Sequence, residues 1–295
     1  MVTVLPSVLA HAGQPVAPHD LWSSWGADPV VYAGLAFASM AYAAGLRRWW
    51  SRGRGRGVAP WRAGCFVAGL FTAWLAVESP VDALGSSLFS AHMLQHELLV
   101  VVAAPLLVMG RPMVVMSRAL PLELRRRTRR FERRLGGSRI GARRRWLVAA
   151  LAVYVSTFWV WHVPVLYNAA LRSDAIHSLQ HASFLLGALA VWVGVAGVHG
   201  HRTQLEAIAL LGVIALQGTW GGALFVFASR PIYEPYLDTT QPWGVDPVDD
   251  ISLGGVIMCV AGLAFVLTAV VRLVSLLLSL ERGDRRRPTP TPLPT

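Results

Sequence analysis

Apolar positions along this 295-residue chain gather into long unbroken stretches, not into the alternation of a half-buried strand or the 3.6-residue spacing of a surface helix. Seven stretches approach the roughly twenty residues that a helix needs to cross a bilayer. They run from Pro29 to Leu46, Trp61 to Val77, Leu88 to Met109, Trp146 to Leu166, Ile176 to Val198, Leu205 to Ala228 and Ile251 to Leu280. Barrel strands are shorter and alternate in polarity, whereas a helix satisfies its own backbone inside lipid. The pattern therefore predicts an all-α integral membrane protein with seven transmembrane helices. The first two stretches are short, and the last is long enough to tilt or to project past the bilayer. No internal repeat interrupts them, so the chain reads as one membrane domain over residues 29–280. A tail over residues 1–28 precedes it, and a Pro/Thr-rich segment expected to be disordered closes it over residues 281–295. The opening MVTVLPSVLAHA is too short and too uncharged for a signal peptide, although Ala10-His11-Ala12 has the form of a cleavage site.

Composition agrees with that class. Hydrophobic residues make up 54% of the chain and charged residues 15%, against about 25% charged in soluble domains. Mean hydropathy is +0.48. The 27 basic residues, all arginine, exceed the 16 acidic ones and give a net charge of +11. Their placement carries more information than their number. The first connection holds six and the third, from Arg111 to Arg145, holds thirteen; Arg202 and five residues from Arg272 onward fall on the same side. The opposite side has only Arg172 and Arg230. This asymmetry predicts the N-terminus outside and the C-terminus cytoplasmic. It also accounts for the arginine clusters through topology and attraction to anionic membrane lipid, so no nucleic-acid partner is expected. Cys65 and Cys259 both lie in apolar stretches, which excludes a disulfide framework and a paired-cysteine redox motif.

Ionisable groups inside a bilayer are costly and mark function. His92 and His96 lie four residues apart in the third stretch, about 6 and 12 Å below its outer end. His177 and His181 repeat the spacing at the start of the fifth stretch, and His162 lies near the exit of the fourth. Residues at i and i+4 share one helix face, so each pair can offer two imidazoles to one ion. The opposing reading, interhelical hydrogen bonds, suits a lone membrane histidine better than two pairs at one depth. Met258 and Cys259 fall near the level of His96, and imidazole with soft sulfur favours copper, above all cuprous ion; core packing explains the same two residues otherwise. His199 and His201 belong to the opposite surface and are not expected as ligands. His11 and His19 in the N-terminal tail are weak candidates for a cupric ion. Glu78 and Glu97 are candidates for a proton-coupled element or for carboxylates that orient a histidine. No hydrolase, metalloprotease or P-loop signature is present.

The run Ala91-His92-Met93-Leu94-Gln95-His96, with Ala104-Pro105-Leu106-Leu107 and Gly110-Arg111-Pro112 after it, resembles the hallmark of the CtaG family of membrane cytochrome c oxidase assembly proteins. Trp161-His162-Val163-Pro164 with Tyr167, His177-x-x-x-His181, Pro231-Ile232-Tyr233 and the run from Asp250 to Met258 follow in the family's order. The resemblance implies a multi-pass factor that helps make active haem–copper oxidase, with a part in copper delivery. Residue by residue it implies a metal role for His92, His96, His162, His177, His181, Asp250 and Met258. The family pattern expects tryptophan where this chain has Cys259, which counts against that thiol as a ligand. The expected partners are cytochrome c oxidase subunits and membrane lipid, with an extracytoplasmic copper chaperone as a candidate donor. Holding and releasing copper calls for affinity and not turnover, so no enzyme activity is expected. Two alternatives remain open on the residues alone. One is a haem held by imidazoles from facing helices, such as His96 and His181; the other is a metal-free scaffold.

Overall fold

The computed structural model describes residues 15–51, 53–121, 123–126, 139–198 and 201–285, and the described residues are helical with short connections. Proline starts many of the helices, because its fixed φ suits the first turn and its missing N–H would be unpaired there in any case. Helix α1 (Pro29–Trp50) begins this way behind Asp28, whose carboxylate accepts from Val30 N at 2.7 Å. Helix α2 (Pro60–Glu78) ends against the short α3 (Pro80–Gly85), which Ser79 caps. The third stretch is a compound element: α4 (Phe89–Glu97), a π-helical segment over Leu98–Ala103, and α5 (Ala104–Met109). Pro105 donates no backbone hydrogen bond, which disturbs the helical ladder just before it. The Val100 carbonyl in this segment instead accepts from Trp192 Nε1 at 3.0 Å. A short α6 (Pro112–Met116) follows.

The fourth stretch departs from its predicted course. Helix α7 (Arg139–Trp161) stops before His162, and α8 (Pro164–Arg172) leaves at an angle of 77°. Pro164 is the cause: it cannot donate to the preceding turn, and it pushes Val163 into an extended backbone. The expected span to Leu166 is therefore broken. Helix α9 (Asp174–Ala196), α10 (His201–Val226), the single turn α11 (Tyr236–Thr239) and α12 (Pro247–Arg285) complete the chain. Among the described residues six helices are long and apolar enough to cross a membrane, and a seventh span is counted if the bent α7–α8 pair is one crossing.

Helices α10 and α12 approach each other closely. A Cβ added at Gly222 would stand 2.5 Å from the Gly255 carbonyl oxygen, and one at Gly255 would meet the Gly222 carbonyl at the same distance. Small residues permit this approach of two backbones, which is how helices associate where burial gives no drive. The buried core runs through α4, α7, α9, α10 and α12. Helix α1 sits at the edge, with only Tyr42 and Gly45 buried. Large apolar side chains such as Phe37, Phe71, Leu186 and Phe227 point outward. An outward apolar surface of this extent belongs to a protein solvated by lipid.

Candidate metal centre

Helices α4 and α9 each present their histidine pair to the other. The ring centroids of His92 and His96 are 4.5 Å apart, and those of His177 and His181 are 4.1 Å apart. Across the interface His92 lies 5.1 Å from His177, and His96 lies 5.2 Å from His181. The i,i+4 spacing thus builds a four-ring cluster from two helices, with His92 fully buried and His96 and His181 nearly so.

Two overlapping donor sets emerge. One nitrogen from each of His92, His96 and His181 lies within 4.8 Å of the others, and so do an Asp82 carboxylate oxygen and one nitrogen each from His177 and His181. His181 belongs to both. Neither nitrogen of His92 or of His96 has a protein hydrogen-bond partner, and Nε2 of His177 and of His181 is also unpartnered. The Gly85 carbonyl and the Gln180 amide stand beside His92 without satisfying it. Buried polar atoms are normally paired, so this many free imidazole nitrogens at one point form a donor set that suits a cation. Borderline and soft transition metals match such ligands.

Asp82 was not legible as a site residue, since it sits in the connection between two spans. Helix α3 brings it in, and Gln95 Nε2 donates a hydrogen bond to its carboxylate. Burial pushes the Asp82 carboxyl up to about 7; the Gln95 hydrogen bond opposes the rise, and Glu78 and Asp174 add to it. Gln95 lies between the two histidines of the Ala91–His96 run, which was its only sequence signal.

The remaining predicted residues take other places. His162 belongs to neither donor set; its centroid is 6.4 Å from Phe184, which is 4.5 Å from His96. Its Nδ1 is 2.7 Å from the Phe158 carbonyl, while Nε2 is buried and free. Met258 is buried and shares a cavity with His96 and His162.

Asp250 makes its hydrogen bonds at the start of α4. Its carboxylate accepts from Phe89 N at 2.6 Å, from Ser90 N at 3.2 Å and from Ser90 Oγ at 2.5 Å. It therefore caps the first turn of α4 from another helix, with both carboxylate oxygens accepting there. Glu78 holds the N-terminal segment, accepting from Asp28 N at 3.3 Å through its side chain and from Gly26 N at 2.8 Å through its carbonyl. Cys259 packs against Gly222, with its thiol 3.6 Å from the Thr219 carbonyl. His201 is exposed and 3.4 Å from Ser279 Oγ. His19 pairs with Asp20 at 3.2 Å on the surface. His11 and His199 lie outside the described residues.

An aromatic floor supports the cluster. Tyr167 stacks on Tyr233 at 3.9 Å and lies 5.0 Å from His92. Its hydroxyl is 3.0 Å from that of Tyr236, which donates to the Gly85 carbonyl at 2.9 Å. Tyr233 OH donates to the His162 carbonyl at 3.1 Å. The Pro231-Ile232-Tyr233 run thus fastens the loop before α11 to the break between α7 and α8.

A model of the cytochrome c oxidase caa3 assembly factor family matches residues 40–279. Proteins described as uncharacterised from Mycobacterium bovis and Mycobacterium tuberculosis are each 26% identical over 299 aligned positions, and one from Mycobacterium leprae is 27% identical over 298. Each alignment covers 92% of this chain but 42% of the relative, so the chain spans less than half the length of these curated relatives. No solved structure matches.

Proposed function

Because this chain belongs to the family of cytochrome c oxidase caa3 assembly factors, we propose that it serves oxidase assembly by holding copper at the cluster of His92, His96, His177 and His181, with Asp82 as a carboxylate donor. The observation that carries the reading is the set of three buried imidazoles, His92, His96 and His181, with free nitrogens within 4.8 Å of one another. An interhelical hydrogen-bonding role would pair those nitrogens with protein groups, and they are not paired. A haem fits less well. The cavity beside the cluster is about 20 Å³, room for about one water, and Phe184 and Tyr167 fill the space around the rings.

The arginine distribution supports an external position for the histidine end. From there copper can pass to an oxidase subunit whose copper-bearing domain faces outward, and an external chaperone can supply it. The cluster supplies affinity, and release follows from ligand exchange; no bond of a substrate is made or broken. The test is the copper content of the full chain purified in detergent, beside a His92→Ala/His96→Ala variant. About one copper per chain is expected in the wild type, with at least a tenfold loss in the variant at equal protein level. Equal copper in both would remove the site, and a scaffold without metal would take its place.

A further inference from the structure

Below the four-ring cluster, further into the bundle, lies a cavity of about 20 Å³ lined among others by Met93, His96, Glu97, His162, Gln217 and Met258. Its volume admits about one water-sized occupant. Three features make it more than a packing defect. His162 Nε2 and Gln217 Oε1 are buried and have no hydrogen-bond partner. Two thioether side chains, 1% and 2% exposed, come to the same space from α4 and α12. His96 belongs to both compartments: one donor set above includes it, its ring lines the cavity below, and both of its nitrogens are free.

The donor chemistry of the two compartments differs. Above, imidazoles and the Asp82 carboxylate favour a borderline ion, including the cupric state. Below, thioethers with imidazole favour a soft monovalent ion and do little for hard divalent ones. We propose that this cavity is a second cation subsite, specific for cuprous ion, in which Met93, Met258 and His162 are the donors and His96 is the point of exchange with the cluster above. The inference rests on the copper reading of that cluster and deepens it: copper held above as cuprous ion exchanges inward along α4 through His96, with no change of oxidation state. Gln217, Glu97 and Tyr154 also line it, so a cation there does not meet a wholly apolar wall. Phe184 also lines this cavity, its ring 4.5 Å from His96 and 6.4 Å from His162.

The test uses the full chain in detergent, loaded without oxygen with one and then two equivalents of cuprous ion. Copper-edge X-ray absorption reports sulfur ligation, and a chromogenic chelator reports affinity. The comparison is a Met93→Leu/Met258→Leu variant, because Leu for Met conserves volume and is tolerated in cores. Retention of the first equivalent on nitrogen ligands serves as its folding control. We expect the second equivalent to bring sulfur ligation in the wild type, and the variant to lose it with at least a tenfold fall in second-site affinity. A wild type that holds one ion on nitrogen alone overturns the inner subsite and leaves the histidine cluster standing. Sulfur ligation unchanged in the variant overturns it too, by assigning the sulfur to another residue. A wild type that binds no copper overturns both readings.

Discussion

Asp250→Ala and Asp250→Asn separate two roles for one carboxylate. The side chain is 1% exposed and accepts three hydrogen bonds at the start of α4. Alanine strands the Phe89 and Ser90 amides; at about 1–3 kcal/mol for each buried unpaired donor, the loss is about 2–6 kcal/mol. Helix-capping substitutions alone reach about 2 kcal/mol, so we expect about 3 kcal/mol, since the Ser90 hydroxyl can turn to another acceptor. Asparagine keeps one carbonyl oxygen for one amide and loses the charge, which should cost about 1–2 kcal/mol. Unfolding followed by tryptophan fluorescence in detergent gives the stabilities, and copper content is read on the same samples. His92 lies three residues beyond Phe89, so loosening the first turn also displaces the cluster. Alanine should therefore lose copper in step with stability, and asparagine should lose little of either. If asparagine keeps wild-type stability yet loses as much copper as alanine, the carboxylate is a metal ligand and the capping account is wrong.

Three further outcomes follow from the same geometry. Asp82, with its carboxyl pushed up to about 7 by burial, is a charged donor above that pH and a protonated non-donor below it; copper retention should fall from pH 8 to 6, and Asp82→Asn should flatten that part of the profile, as equilibrium dialysis would register. Gly255→Ala would set a methyl against the Gly222 carbonyl and Val226 N, forcing α10 and α12 apart at about 1–3 kcal/mol; an unchanged melting temperature would contradict that close approach. His201→Ala should leave copper content and client oxidase activity within about 20% of wild type, because the reading gives this exposed ring no part in the cluster, on the far side of about 30 Å of hydrocarbon; a clear loss in either measurement would count against the placement.

What the sequence determined by itself is local. Helical periodicity makes His92 face the same way as His96, and His177 the same way as His181, wherever the helices go. Runs of apolar residues likewise specify helices that must lie in lipid, and the match of residues 40–279 to the assembly-factor family agrees with the motifs that those runs carry. Rotation and offset between helices were decided only in three dimensions. Asp82 joins His177 and His181 because α3 folds back and Gln95 holds it. Asp250 reaches Phe89 across 161 residues to cap a helix, a pairing that no spacing encodes. The π-helical segment after Glu97 changes the face that α5 presents, and the chain turns by 77° between α7 and α8, just after His162. Periodicity fixes which side chains on one helix look together, whereas the meeting of two helices depends on breaks, bulges and glycine contacts summed over the whole bundle.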